Sequence, residues 1–198
     1  MTLPDQHSDP LRLVVLQGSV RSERVGPAIT DWVLDRVDRS DRFVLDVIDL
    51  AKVRLPEPEE LRPTGTGARS EIADRLEAAD GFMIITPEYN RGLPATLKHA
   101  IDCHYVEWMF KPVLPVTYGM TGGVLAAEHL RSVFAELHAV TTRRAVTVAE
   151  PWAHLDQHGR LEPTATAERT LGIALGELAW WASALRRQRL LEPFPHPR

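Results

Sequence analysis

Sulfhydryl chemistry is almost missing from this 198-residue chain, which holds one cysteine, Cys103, and so can form no disulfide within itself. A lone free thiol suits a reducing compartment, and the cytoplasm is the expected location. Long hydrophobic runs are missing too. No stretch of roughly 18 apolar residues occurs, so no membrane-spanning helix is expected. The first ten residues, with Asp5, His7, Asp9 and two prolines, lack the basic-then-apolar order of a secretory leader. Nor does charge of one sign prevail: 23 basic against 27 acidic residues leave a net charge of −4, a field that favours neither nucleic acid nor an anionic membrane as partner. Lysine is scarce, being confined to Lys52, Lys98 and Lys111. Linkers, internal repeats and low-complexity tracts are absent. What remains, 44% hydrophobic and 25% charged, is the balance of an ordinary globular protein. At ~150 residues per domain the length gives about 1.3 domains. We expect one domain over 1–198, with a core over about 11–187 and short disordered or extended tails.

Apolar runs alternate with stretches of helical period. Leu11 to Leu16 read as a buried strand closed by Gly18, and Val25, Ile29, Trp32, Val33 and Val37 recur at helix spacing. Arg42 to Leu50 alternate as a strand, and a loop rich in Pro, Glu and Gly runs from Lys52 to Gly67. A helix over about Arg69 to Ala79 leads into a strand at Gly81 to Thr86. Leu93, Leu97, Ala100 and Ile101 share a helix face, Pro112 to Tyr118 form a fourth strand, and a helix carries Ala126, Leu130, Val133, Phe134 and Leu137. Ala145 to Val148 make a fifth strand, Asp156-Gln157-His158-Gly159 a turn, and Leu171 to Leu185 a last helix. Five strand–helix units predict a three-layer α/β sandwich with a five-stranded parallel sheet, and right-handed crossovers favour the order 2-1-3-4-5. Ligands of such sheets sit beyond the strand C-terminal ends, at the switch point beside the first strand.

Three loops reach that place. The first, Gly18-Ser19-Val20-Arg21-Ser22-Glu23-Arg24-Val25-Gly26, joins a strand to a helix start, where free N–H groups attract anions. Ser19 and Ser22 offer hydroxyls, and Arg21 or Arg24 can grip a phosphate with two parallel bonds. Neither the dinucleotide nor the NTPase glycine pattern is present, which disfavours both classes. A solvated polar turn is the plain reading of such a loop, and its position after the first strand favours a monophosphate site. The second loop, Thr86-Pro87-Glu88-Tyr89-Asn90-Arg91-Gly92-Leu93-Pro94, offers a flat apolar surface and an amide. In the third, Tyr118-Gly119-Met120-Thr121-Gly122-Gly123, glycines permit close backbone approach to a planar ligand. A flat, phosphorylated cofactor suits all three, and FMN fits.

Together, Gly18-Ser19-x-Arg21, Pro87-Glu88-Tyr89-Asn90, Leu97-Lys98-x-Ala100-Ile101-Asp102 and Gly122-Gly123 resemble the NADPH-dependent FMN reductase family of flavodoxin-like flavoproteins, over about Leu11 to Val148. The resemblance implies that Ser19 and Arg21 bind the FMN phosphate, beside Gly18, Val25 and Gly26. Arg24 stands where many members have serine; an arginine there can strengthen the phosphate contact or reach a neighbouring subunit. Pro87, Glu88, Tyr89 and Asn90 would line the flavin, largely through backbone groups. Gly119, Gly122 and Gly123 would flank the ring edge, with Tyr118 and Met120 standing where smaller residues are frequent. The resemblance further implies an NAD(P)H oxidoreductase working by ping-pong hydride transfer, with NADPH or NADH as donor and a flavin, quinone, azo compound or similar small molecule as acceptor. A homodimer or homotetramer with the flavin near the interface is implied as well. No side-chain acid, base or nucleophile is required.

The remaining reactive residues have simpler accounts. Cys103 reads as an inert core thiol, and His99, Cys103 and His104 have no further ligand pair at metal spacing. Asp102 reads as a helix salt bridge. Arg186, Arg187 and Arg189 read as a solvated helix end, with the 2′-phosphate of NADPH as the sharper alternative. Trp180 and Trp181, with Tyr105, Trp108, Met109 and Phe110, give more apolar surface than one domain needs, which marks an interface. Two rivals stand beside the reductase: a flavodoxin-type electron carrier without NAD(P)H activity, and a non-flavin phosphate-binding enzyme that would need Glu88 as its carboxylate.

Overall fold

The computed structural model describes residues 9–38, 41–57, 60, 69–192 and 194. Strand β1 (Leu11–Gln17) is followed by α1 (Gly26–Asp38), β2 (Phe43–Asp49), α2 (Ala73–Glu77), β3 (Gly81–Pro87), α3 (Ala95–Asp102), β4 (Pro112–Gly119) and α4 (Val124–Glu136). Two short strands, β5 (Val140–Thr141) and β6 (Val146–Ala149), then precede α5 (Ala165–Leu191). Among the described residues these strands all pair in parallel, and the order is β2-β1-β3-β4-β5, with β6 also paired to β4. The flavodoxin-like order expected from the sequence is therefore present.

Strand alternation divides the core. Leu13, Val15, Met83, Ile85, Leu114 and Val116 face α1 and α5. Val14, Leu16, Phe82, Ile84 and Val113 face the other way, toward Leu76, Leu97, Leu130 and Phe134 of α2, α3 and α4. The inner strands β1 and β3 are apolar on both faces because helices cover both.

Three elements differ from expectation. The fifth position holds two strands instead of one, so the sheet has six strands among the described residues. From the Val113–Thr141 pair to the Val116–Val146 pair, β4 advances three residues and its partner five. The Val113 carbonyl accepts from Thr142 N at 2.9 Å, so by alternation Pro115 faces the same neighbour with no N–H to offer. The ladder breaks there, and the Arg131 guanidinium takes over the freed carbonyls of Thr142 (2.6 Å) and Arg143 (2.8 Å). Helix α2 is shorter than the Arg69–Ala79 reading. Ala73 N donates to the Ser70 carbonyl at 3.2 Å, a turn bond three residues back that precedes the helix, and Ser70 Oγ is bonded to His104 Nε2 at 2.5 Å. Helix α5, at 27 residues, starts earlier and ends later than expected; Thr164 caps it by accepting from Ala167 N. It also takes in residues assigned to the C-terminal tail. The N-terminal tail (residues 1–8), residues 195–198 and most of the Lys52–Gly67 loop (58–59 and 61–67) lie outside the described residues.

The apolar cluster after α3 turns inward. Trp108 is wholly buried, donates Nε1–H to the Ile101 carbonyl at 3.1 Å, and packs edge-on against Phe82 and Phe134. Met109 is buried with it, whereas Tyr105 and its neighbour Val106 are exposed. Of the tryptophan pair on α5, Trp180 is exposed and Trp181 half-buried.

Candidate functional site

The seven-residue register of β1 with β2 sets Gln17 beside Asp49, both at the C-terminal end of the sheet. From there a chain of polar contacts shapes the first loop. Thr30 Oγ1 donates to Gln17 Oε1 (2.9 Å), and Gln17 Nε2 donates to Asp49 Oδ1 (3.2 Å). Arg24 donates to both Asp49 oxygens, at 2.9 and 2.7 Å, and also to the Ser19 carbonyl. Burial alone would raise the Asp49 carboxyl. The Arg24 hydrogen bonds, the Ala51 amide and the charges of Arg24 and Lys52 outweigh it, so Asp49 titrates below its ordinary value. Arg24 is thus engaged by Asp49, and its fork braces the loop from beneath. Asp49, Gln17 and Thr30 were not legible as site residues, because only the strand register brings them together.

Ser19 is buried, and its hydroxyl lies 3.2 Å from the Tyr89 hydroxyl. The Arg21 guanidinium stacks over the Tyr89 ring, 3.8 Å from its centre. Between β3 and β4 loops the Glu88 amide donates to the Tyr118 carbonyl at 2.8 Å. The first loop is therefore joined to the second, and the second to the third. Val25 and Gly26 open α1 behind them, and Gly18 is buried at the end of β1.

In the second loop, Tyr89 and Gly92 exchange both backbone hydrogen bonds at 3.0 Å, around Asn90 (φ 50°) and Arg91 (φ 66°). This is a two-residue reverse turn of the hairpin kind, which holds Asn90 at the exposed tip. The Glu88 carboxylate is not exposed to a ligand in the way a free acid would be. Its Oε2 accepts from Leu125 N (2.9 Å) and Ala126 N (3.4 Å), capping α4. Pro87 is buried at the strand end.

The third-loop glycines have a reason other than ligand approach. Gly122 (φ 80°) and Gly123 (φ 75°) sit in the left-handed region, and a Cβ on Gly123 would lie 2.7 Å from Tyr118 N. A Cβ on Gly122 would meet Thr147 of β6 at 3.0 Å. Both positions bend the chain against its own sheet. Met120 is 68% exposed at the loop tip, beside Gly119. Tyr118 points elsewhere than the loop edge: it belongs to the α1–α5 face of the core, with its hydroxyl 3.0 Å from where a Cβ on Gly26 would sit. That hydroxyl is buried with no hydrogen-bond partner among the described residues. An unpaired buried donor at a helix N-terminus fits a phosphate group arriving there.

Residues matching the NADPH-dependent FMN reductase model extend from 11 to 153. The chain belongs to that family. It is 36% identical over 159 residues to an NAD(P)H-dependent FMN reductase of Schizosaccharomyces pombe, covering 75% of this chain and 79% of that one. A quinone reductase of Escherichia coli K12 is 30% identical over 149 residues, 69% of this chain and 76% of its own length. FerB, a flavoenzyme NAD(P)H:(acceptor) oxidoreductase from Paracoccus denitrificans, shares the fold with a TM-score of 0.68 at 20% identity, over 88% of this chain and 98% of that one. The family uses FMN with NAD(P)H, so the chain is an FMN-dependent NAD(P)H oxidoreductase.

The other reactive groups stand apart from this site. Cys103 is half-buried, and burial with the Asp102 charge pushes its thiol up to about 11. His99 Nε2 contacts the Pro56 carbonyl at 2.8 Å, His104 is held by Ser70 and the Ala100 carbonyl, and Asp102 pairs with Lys98 at 2.7 Å. Arg186 and Arg189 both pair with Asp80, at 3.2 and 3.3 Å. Asp80 precedes β3, so these arginines belong to the end of the sheet opposite the switch point and do not form a 2′-phosphate site within this chain. Arg187 borders an open hollow of about 1170 Å³ at that same far end, with Leu11, Arg42 and Trp180. The N-terminus of α1 and the three loops are at the other end of the sheet, which is the candidate site.

Proposed function

We propose that this chain holds FMN across the C-terminal ends of β1, β3 and β4 and passes reducing equivalents from NADPH or NADH to a quinone, flavin, azo compound or similar small acceptor, by a ping-pong route. The observation that carries this reading is the coupling of the three loops at one end of the sheet, through Ser19–Tyr89 (3.2 Å) and Glu88–Tyr118 (2.8 Å). FMN, when bound, supplies the hydride acceptance that the protein's own side chains cannot. Ser19, Arg21 and the N-terminus of α1, with Gly18, Val25 and Gly26, bind its phosphate. Arg24 holds that loop in shape through Asp49. Pro87, Glu88, Tyr89 and Asn90 line the ring by backbone and aromatic contact, while Gly119, Met120, Gly122 and Gly123 border the face left for donor and acceptor. No proton carrier is needed, and the one loop carboxylate, Glu88, is spent on α4. That same commitment disfavours the non-flavin enzyme, which needs Glu88 free.

Exposed Met120, Val124 and Trp152, together with Val20, leave an apolar rim around this end. A second copy of the chain would cover it, giving a homodimer or a dimer of dimers. A strictly monomeric mass by light scattering would overturn that. Among the described residues no helix is long and apolar enough to cross a membrane. We assign the chain to the cytoplasm as a single domain. The deciding experiment is anaerobic addition of NADPH to the purified, FMN-loaded protein. Bleaching of the yellow colour is expected; a yellow protein that does not bleach would support an electron carrier instead.

A further inference from the structure

The ring of Tyr118 is 5% exposed, and its hydroxyl has no hydrogen-bond partner among the described residues. Leaving a buried donor unmatched is costly, so a group that stays unmatched in the free chain points to a partner that arrives later. The hydroxyl touches the start of α1, a helix of 13 residues. Gly26 there leaves room for it, since any larger side chain would collide with it. The first turn of a helix normally presents four free N–H groups. Pro27, the second residue of α1, has none to give. The buried Ser19 hydroxyl, the Tyr89 phenol and the Arg24 guanidinium lie nearby, and the charge of Arg24 is matched by Asp49. Burial holds the phenol well above its ordinary titration range, with Ser19 and Arg24 opposing only part of the rise. It is therefore a hydrogen-bond donor at any physiological pH. A small, doubly charged acceptor suits this place.

Resting on the flavin reading above, we infer that the Tyr118 hydroxyl donates a hydrogen bond to the FMN phosphate, in place of the N–H that Pro27 lacks, and so makes the chain prefer FMN to riboflavin. Tyr118 is then a phosphate-reading residue carried on β4, two strands from the phosphate loop, and not a contact of the ring edge.

The test is titration of the flavin-free full chain with FMN and with riboflavin, followed by quenching of flavin fluorescence, for wild type and Tyr118→Phe. The variant is expected to bind FMN roughly 10- to 100-fold more weakly, with riboflavin affinity changed by less than about 2-fold. Unchanged FMN affinity, or an equal loss for both flavins, overturns the inference and leaves the flavin reading standing. Wild-type protein that binds neither flavin overturns both. Thermal melting without ligand guards against a folding artefact. Tyr118→Phe is expected to melt at or above the wild-type temperature, because no bond is lost. A clearly lower melting point would show that the hydroxyl is bonded in the free chain, and would overturn the inference too.

Discussion

Arg24 and Asp49 show how one residue's role changes once its neighbours are known. An arginine in a βα loop reads as an anion grip, yet its fork is matched oxygen for oxygen by a carboxylate from the next strand. The side chains are only 13% and 17% exposed, so the pair sits nearer the buried regime than the surface one. Asp49→Asn is expected to cost about 3 kcal/mol at pH 7, measured by urea unfolding. The sign with pH follows from the lowered native titration of Asp49. The stabilisation is complete above its unfolded value near 3.9 and drains away as pH falls through the lower folded value. The gap between wild type and variant should close in that acid range. A gap that persists undiminished would assign the effect to packing.

Helix α4 depends on a carboxylate from another element. Val124 to Glu136 begin after Gly123, which has no side chain to cap them, and Glu88 reaches across from the β3 loop to do so. The carboxylate also complements the positive end of the helix dipole. Glu88→Ala is expected to lower the melting point by about 3 °C, the equivalent of roughly 1 kcal/mol in a chain of this size. Flavin affinity should change little, because the backbone contacts of the loop survive; a large loss of affinity would mean that the carboxylate meets the ligand. Element existence was legible here from periodicity, whereas the division of the fifth strand into β5 and β6 was not. That break depends on which neighbour Pro115 faces, and a proline's direction is set only when the strands pair.

Across the whole molecule, the end of the sheet opposite the site is held by buried charge. Lys111, at the entry to β4, donates to the Leu76 carbonyl (2.9 Å) and the Glu77 carbonyl (2.7 Å) at the end of α2. Burial, aided by the Arg189 charge, pulls its ammonium down to about 8, against the pull of Asp80, Glu77 and Glu107. Because the unfolded chain then holds more protons than the folded one, stability should rise as pH climbs from about 8 toward 9.5. Lys111→Met should flatten that rise in denaturation measured across the window; an identical slope would place its origin elsewhere. Asp80 completes the arrangement by accepting from the Arg12 amide at 3.0 Å as well as from Arg186 and Arg189. These arginines, 106 and 109 positions away along the chain, could not be told from a solvated helix end until α5 was laid across the sheet.

The sequence by itself determined the layer order, the strand–helix alternation and the three loops that end β1, β3 and β4, because hydrophobic period and the Pro87-Glu88-Tyr89-Asn90 run are local properties of the chain. It also indicated the family that the later comparison bore out. Only the tertiary structure decided what each polar side chain does. Arg24 became a brace, Glu88 a helix cap, Gly122 and Gly123 packing positions, and Tyr118 an unmatched donor at α1. A hydrogen bond is chosen by the partner within about 3 Å, and those partners are dozens of residues away in the chain.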